Sequence, residues 1–498
     1  MRQKGRQRVA SPWAVLVLAL VMGIDGCAVG PNFKSPQARV QQSWTGLSPE
    51  AASQPSAATS QPAEVLRWWE VFHDPVLTDL VEQALQSNLN VQLAEARLRQ
   101  SRAARGVIVG GLFPTVTASS AYQREHIAGA SNQNLYQAGL DAAWELDVFG
   151  GIRRNVESAN ANIEAAQASL RDTQVSLMAE VALDYFQLRG FQQAIVIALD
   201  NLKAQKHTAD ITRQRLAAGF ISALDVANAE AEVATTEAQI PVLQIGAQQS
   251  IYALSVLLAR PPDDLLSELS PTGPLPQTPA RIPVGLPSDL LRRRPDIRQA
   301  EALLHAATAQ IGVATAELFP QFSLTGSMNW QSNSLQDWFN GSSRSWAFGP
   351  SMSWPFFQGG SLISNIRVQE ALRDQAFLTY HQTVLTALQE VENSLIAFSK
   401  EQEHRKSLND AVVANHKAED ISMQLYVEGE TDFLNVLNAQ RSLYASEDAL
   451  VQSQLNVATD LVALYKALGG GWEDQTPQIP TSSWVHQAAT APAQPSSR

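Results

Sequence analysis

Residues 150–219 read GGIRRNVESANANIEAAQASLRDTQVSLMAEVALDYFQLRGFQQAIVIALDNLKAQKHTADITRQRLAAG, two glycines and then about 67 residues without a proline. At ~1.5 Å per residue this predicts one helix of about 100 Å. A bilayer core is only ~30 Å thick, so the rod is too long for a membrane span. It is also too polar, with Arg153, Arg154, Glu157, Glu164, Arg171, Asp172 and Glu180 spread along it. Its apolar residues form a seam. Ile163, Leu170 and Leu177 are seven apart; after a step of four, so are Val181, Leu188, Ile195 and Leu202. That is coiled-coil spacing. A second rod, Gly360 to about Gly429, has the same length and glycine flanks, and Val384, Leu388, Val391, Leu395 and Phe398 form its seam.

The 498-residue chain is long enough for two or three ordinary domains. Its formal charge of -12 argues against a nucleic-acid binder. The single cysteine, Cys27, rules out an internal disulfide framework or a cysteine metal cluster. Arg2, Lys4, Arg6 and Arg8 give a basic start, and Trp13 to Ile24 is an apolar run of signal-peptide length. Ile24-Asp25-Gly26-Cys27 follows, with a small residue before the cysteine, and resembles a bacterial lipobox. The expectation is a lipoprotein signal peptide over 1–26, cleaved to leave Cys27 first and lipidated. Ala28 in the next position points to the outer membrane.

Residues 27–67 are rich in Pro, Ser, Gln and Ala and read as a lipid-anchored extended linker. Helical stripes follow, Leu77, Leu80, Val81, Ala84 and Leu85 after Pro75, then Leu89, Leu93, Ala96 and Leu98, stopping near Gly110-Gly111. At Pro114 the period changes from about 3.6 to 2. Val116, Ala118, Ser120 and Tyr122 alternate with Thr115, Thr117, Ser119 and Ala121; Tyr136, Ala138, Leu140, Ala142, Trp144 and Leu146 alternate with Gln137, Asp141 and Glu145. Each run reads as a strand with one oily and one wet face. After the first rod, Ser222 or Asp225 is placed to start a helix that reaches about Ala259. Pro241 inside it should kink or split it.

The plan then repeats. Leu112-Phe113-Pro114 returns as Leu318-Phe319-Pro320. Gly139…Trp144 returns as Gly349…Trp354, and Gly219…Leu224-Asp225-Val226 as Gly429…Leu434-Asn435-Val436, both offset by 210. In the second pair of strands, Phe322, Leu324, Met328 and Trp330, then Trp346, Phe348, Met352, Trp354 and Phe356, mark the oily face. Tyr122, Tyr136, Trp144, Trp330, Trp346 and Trp354 stand toward strand ends, where aromatic girdles belong. Four strands cannot close a membrane barrel, for which ~8 is the minimum. Two copies would give a barrel filled by its own side chains. Three copies give twelve strands and a lumen, lined by the small polar face. The rods would then hang into the periplasm as helical hairpins.

Cys27-Ala28-Val29-Gly30-Pro31-Asn32-Phe33, Trp68-Trp69-Glu70, residues 141–150 (DAAWELDVFG) and residues 285–297 (GLPSDLLRRRPDI) together carry a strong resemblance. They resemble the TolC-like outer-membrane factors, in particular the NodT-type lipoproteins of resistance–nodulation–division efflux systems. The resemblance covers nearly the whole mature chain. It implies an α+β, mainly α, membrane protein: a homotrimer with a 12-stranded β-barrel on a long periplasmic α-helical barrel. It implies a passive exit channel that works with a periplasmic membrane-fusion adaptor and an inner-membrane pump. The organisation expected is a first repeat over 68–259 (β-hairpin 114–147, helical hairpin 151–259), a proline-rich connector over 260–294, and a second repeat over 295–471 (β-hairpin 320–357, helical hairpin 361–468). A disordered tail is expected over 472–498. By resemblance the adaptor-docking tips fall on Arg215, Leu216 and Gly219 and on Val427 and Gly429, and the periplasmic gate on Leu434, Asn438 and Arg441. Relatives often carry an acid where Asn438 stands, and Asp225 and Asp432 are the acids nearby.

Two other readings fit the pattern: the channel of a type I protein secretion system, which shares the fold, and a non-conducting, lipid-tethered periplasmic coiled-coil scaffold. No motif for a nucleophile elbow, P-loop, dinucleotide site or zinc protease occurs. No catalysis, cofactor, metal or nucleic-acid partner is therefore expected, and Arg292-Arg293-Arg294 reads as solvated charge pairing with Asp289, Asp296 or Glu301 at a helix entry.

Overall fold

The computed structural model describes residues 28–472 apart from 38–40, 42, 46–56, 60–65, 127, 129–131, 279–280 and 286. The expected signal peptide, Cys27 and residues 473–498 lie outside the described residues. The chain forms two compact units, one of residues 1–46, 87–173 and 286–393, the other of 47–86, 174–285 and 394–498.

The elements in chain order are β1 (Ala57–Thr59), α1 (Pro75–Ser87), α2 (Leu89–Gly110), β2 (Thr115–Glu125), β3 (Gln133–Leu146), α3 (Gly151–Ala217) and α4 (Ala223–Leu257). Then come α5 (Leu266–Leu269), β4 (Arg281–Pro283), α6 (Pro287–Arg293), α7 (Pro295–Ala316), β5 (Gln321–Ser332), β6 (Arg344–Ser353), α8 (Ser361–Glu428) and α9 (Phe433–Ala467). The rods are therefore single helices of 67 and 68 residues.

The first unit holds an antiparallel sheet of order β2-β3-β5-β6. Its register pairs even residues with even and odd with odd: Val116, Ala142, Gly326 and Phe348 lie in one row, and Thr117, Asp141, Ser327 and Ala347 in the next. One indole closes each hairpin at the end where the helices join. Trp144 Nε1 donates to the Leu112 carbonyl at 2.9 Å, and Trp354 Nε1 to the Leu318 carbonyl at 3.1 Å. The repeated Leu-Phe-Pro segments thus serve as acceptors for the repeated tryptophans. Trp354 and Phe356 lie past the end of β6 rather than in it. Asp147 caps α3 by accepting from the backbone N–H groups of Ile152 and Arg153 at 3.0 and 2.9 Å.

In the second unit, the seam residues Leu177, Val181 and Leu188 are buried, as expected. So are Met178, Ala182, Tyr185 and Phe186, so α3 is covered on more than one face there. Trp68 stacks on Tyr465 at 5.4 Å, and the Tyr185 hydroxyl donates to Asp74 at 2.7 Å.

Two expectations need correction, and a third is narrowed. Helix α4 is not split at Pro241, one of the two outcomes expected there. Pro241 and Glu237, whose carbonyl loses the helical partner, are both exposed, so water can take the freed acceptor. The described residues of segment 28–62 are docked in several places: Trp44 is buried, and β1 pairs in parallel with β4 inside the proline-rich connector. Arg294 is not solvated. It is buried, with ion pairs to Asp296 at 2.7 Å and to Glu390 at 2.6 Å. Burial alone would lower its affinity for a proton, but these carboxylates outweigh it and raise its pKa.

Candidate conduit wall and helical tips

The sheet has two chemically different faces. Even positions present Val116, Leu140, Leu324, Trp346, Phe348 and Met352, all exposed; Trp346 and Phe348 are 66% and 78% accessible. Odd positions present mainly Ser, Thr, Gln and Asn, with Glu125, Asp141 and Glu145, and no odd strand position is basic. Within the chain, β2 and β6 are edges, each paired on one side only. An apolar face of this size in water would be costly, at ~25 cal/mol per Å². Two open edges add unpaired backbone groups that lipid would not tolerate. Both features demand a lipid environment and further strands.

The tips have one backbone solution, built twice. Gly219 (φ +78°) donates its N–H to the Leu216 carbonyl at 2.9 Å, and Phe220 N–H reaches the Arg215 carbonyl at 2.9 Å. Exactly 210 residues later, Gly429 (φ +83°) donates to Tyr426 at 3.1 Å and Glu430 to Leu425 at 2.9 Å. Glycine takes the left-handed conformation that closes each helix end. The next helix then starts from Ser222, whose N–H donates to Asp225 at 3.1 Å, or from Asp432. Both Ser222 and Asp225 are thus part of the first cap, one at its start and the other reaching back to it.

Arg215 joins the two tips. Its guanidinium lies 4.7 Å from the centre of the Tyr426 ring and donates to the Tyr426 carbonyl and, at 3.2 Å, to that of Val427. Tyr426 is buried with Ala209, Ala229, Phe433, Val436 and Leu437. Leu216 and Val427 stay exposed beside it.

Leu434, Asn438 and Arg441 follow the i, i+4, i+7 spacing of one helix face, and all three are exposed. Leu434 is 58% accessible although its neighbours Phe433, Val436 and Leu437 are core. The exposed stripe therefore points away from the protein's own interior. Arg441 Nε and Nη2 both lie 2.7 Å from Glu232 Oε2, tying α9 to α4. Sequence reasoning did not single out Glu232, which stands 209 positions before its partner.

A second feature escaped the sequence. The buried Arg154 gathers the start of the described chain, donating to the carbonyls of Val29 at 3.0 Å, Gly30 at 3.3 Å and Ala28 at 3.4 Å, and to Asn32 Oδ1 at 2.7 Å. Its remaining nitrogen pairs with Glu157 at 2.7 Å, and His305 approaches the other Glu157 oxygen at 3.0 Å while stacking on Phe33. Burial pushes Glu157 up, but Arg154 and His305 outweigh it and hold the carboxyl below its usual range. Gly30 has φ +91°, and a Cβ there would meet the Gly312 backbone.

A family model described as outer membrane efflux protein matches residues 80–260 and 286–470. The chain is 33% identical to the toluene efflux pump outer membrane protein TtgC of Pseudomonas putida, over 93% of this chain and 96% of that protein. It is 34% identical to nodulation protein T of Rhizobium leguminosarum bv. viciae, over 96% and 97%. Among solved structures, the outer-membrane channel OprN matches with a TM-score of 0.82 and 40% identity, over 90% of this chain and 100% of that one. Two matched blocks that coincide with the two structural repeats, and relatives aligned along nearly their whole length, leave one conclusion: this chain belongs to the outer membrane efflux protein family.

Proposed function

We propose that this chain is the passive, gated exit duct of a tripartite efflux pump, working as a homotrimer. Three four-stranded sheets close edge to edge, β6 of one copy against β2 of the next, into a twelve-stranded barrel with the odd face inward. The polar lining carries small molecules to the exterior, and the inner-membrane pump supplies the energy. The adaptor's helices meet the tips at Arg215, Leu216, Gly219, Val427 and Gly429. Leu434, Asn438 and Arg441 line the periplasmic constriction. Cys27 carries the lipid. No catalytic step is assigned to any residue.

The observation that carries this reading is a sheet with one oily face, one polar face and two unpaired edges. Among the described residues no helix is long and apolar enough to cross a membrane, so the sheet is the membrane-crossing element in this reading. Planar-bilayer recording is the test. Purified protein with the tips loosened by Leu434→Ala should run at trimer mass and conduct. A monomer, or a trimer that never conducts with its tips loosened, would favour a scaffold instead. In cells, Leu434→Ala should raise leak of large antibiotics; normal expression with unchanged leak removes Leu434 from the constriction. Cys27→Ser should abolish acylation.

A further inference from the structure

The segment between β5 and β6 is more than a turn. Asp337 organises it: its carbonyl accepts from Asn340 N–H at 3.2 Å and from Ser343 Oγ at 2.7 Å, and its carboxylate accepts from Asn340 Nδ2 at 2.8 Å. The fold of the loop sets Trp338 against Tyr136 at 5.7 Å and Phe339 against Trp330 at 6.0 Å, and the two loop rings stack on each other at 4.9 Å. Tyr136 and Trp330 are even-numbered, so both stand on the apolar face. The loop therefore folds over the lipid side of the sheet rather than over the polar side. Leu335 and Phe339 remain exposed.

Charge follows the same side. The only basic residues in the four strands are Arg124 and Arg344. Both are even-numbered, both are exposed, and both lie at the end of the sheet away from the long helices, Arg124 opposite Asn134 and Arg344 opposite Trp330. The strand carboxylates Glu125, Asp141 and Glu145 are odd-numbered and occupy the other face, Glu125 at the same end as Arg124. Aromatic rings beside guanidinium groups, at the level where an apolar band ends, match the boundary between acyl chains and lipid phosphates.

We propose that the loop 333–343, together with Arg124 and Arg344, is a docking surface for phosphate-bearing lipid of the membrane's outer leaflet. Leu335, Trp338 and Phe339 enter the upper acyl region, and the two guanidinium groups take lipid phosphate oxygens. The surface continues the apolar face of the sheet, which already requires lipid. It also keeps this loop off the outer mouth.

The test has two arms. A spin label on Leu335→Cys in proteoliposomes, with the parent chain as the labelling blank for Cys27, should relax with dissolved oxygen and not with a water-soluble nickel chelate. Access to the chelate would place the loop in water, and access to neither would place it under protein; each overturns the proposal. In the second arm, native mass spectrometry follows retention of lipid A. One basic side chain near an anionic lipid surface is worth about a factor of five, so R124Q/R344Q should hold lipid A about 30-fold more weakly. R124K/R344K should keep most of it. Equal retention by wild type and R124Q/R344Q, with heat-resistant assembly intact, refutes the proposal.

Discussion

The pair Arg441–Glu232 offers a quantitative test of the proposed periplasmic gate. Two guanidinium nitrogens converge on one carboxylate oxygen at 2.7 Å. The glutamate side chain is 11% exposed and the arginine 54%. A charge-assisted bond is worth ~1.5–3 kcal/mol when covered and ~0.2–1 kcal/mol when exposed. A pair with one end in water falls near ~1 kcal/mol, about a fivefold shift in the closed-to-open ratio for each copy. Three copies opening together would multiply this to roughly a hundredfold. The two single variants should differ. Arg441→Gln leaves a covered carboxylate without its cation, whereas Glu232→Gln leaves an arginine that water can solvate. Arg441→Gln should therefore open the channel more. Single-channel recording in planar bilayers reads this as open probability, and uptake of a large antibiotic reads it in cells. The reversed pair, Glu232→Arg with Arg441→Glu, should recover part of the closed state. If both single variants stay as closed as wild type, or their effects simply add in the double variant, the pair is not a latch.

Other outcomes follow from the same contacts. Arg154→Ala strips three carbonyls and Asn32 of their shared donor, and should cost ~3 kcal/mol and expose residues 28–37 to protease, read by thermal unfolding and limited proteolysis. Burial, with Glu180 nearby, pushes the Asp184 carboxyl up to about 6. A carboxyl raised on folding takes up protons in the native state first, so stability should rise as pH falls from about 7 toward about 4. Asp184→Asn should add ~1 kcal/mol at neutral pH, after allowance for solvent screening, and flatten that pH dependence in thermal melts. Arg215→Leu places at the first tip the residue type found at position 425. It should keep the turn but loosen the second tip, speeding hydrogen exchange at Gly429 and Glu430 about tenfold.

What was legible in the sequence was whatever repeats at short range. The rods appear because a proline-free seam of heptads is visible within a few turns, and the strands because alternation needs only neighbouring residues. Gly219 and Gly429 stand out because each ends a rod and a left-handed cap needs glycine. Pro241 does not split its helix, because the acceptor it frees faces water, which propensity alone does not register. Arg154 and Glu232 were hidden for another reason. Apart from Glu157, three positions on from Arg154, their partners lie 122–126 and 209 positions away, and nothing in a local window distinguishes a charge that closes such a loop from one that is merely solvated. Arg294 shows the same limit: its partner Asp296 was visible in the next turn, but Glu390, 96 positions on, was not.

The repeat also gives the two hairpins one backbone design with unlike side-chain contacts. At the tips the hydrogen bonds that turn the chain are duplicated, but the side chains around them are not. Arg215 corresponds to Leu425, Leu216 to Tyr426, and Phe220 to Glu430. Had both copies kept arginine, like charges would face each other across the tips; had both kept leucine, nothing would reach the partner's carbonyls. One arginine facing one tyrosine makes the contact one-sided, with the first tip supplying the donor and the second the carbonyls. The tie between Glu232 and Arg441 has the same one-sided form, because 232 corresponds to Ser442 and 441 to Ala231. Identical turns set where the hairpins end, and unlike side chains set which hairpin restrains the other. In the proposed duct this asymmetry would let one half stay fixed while the other moves.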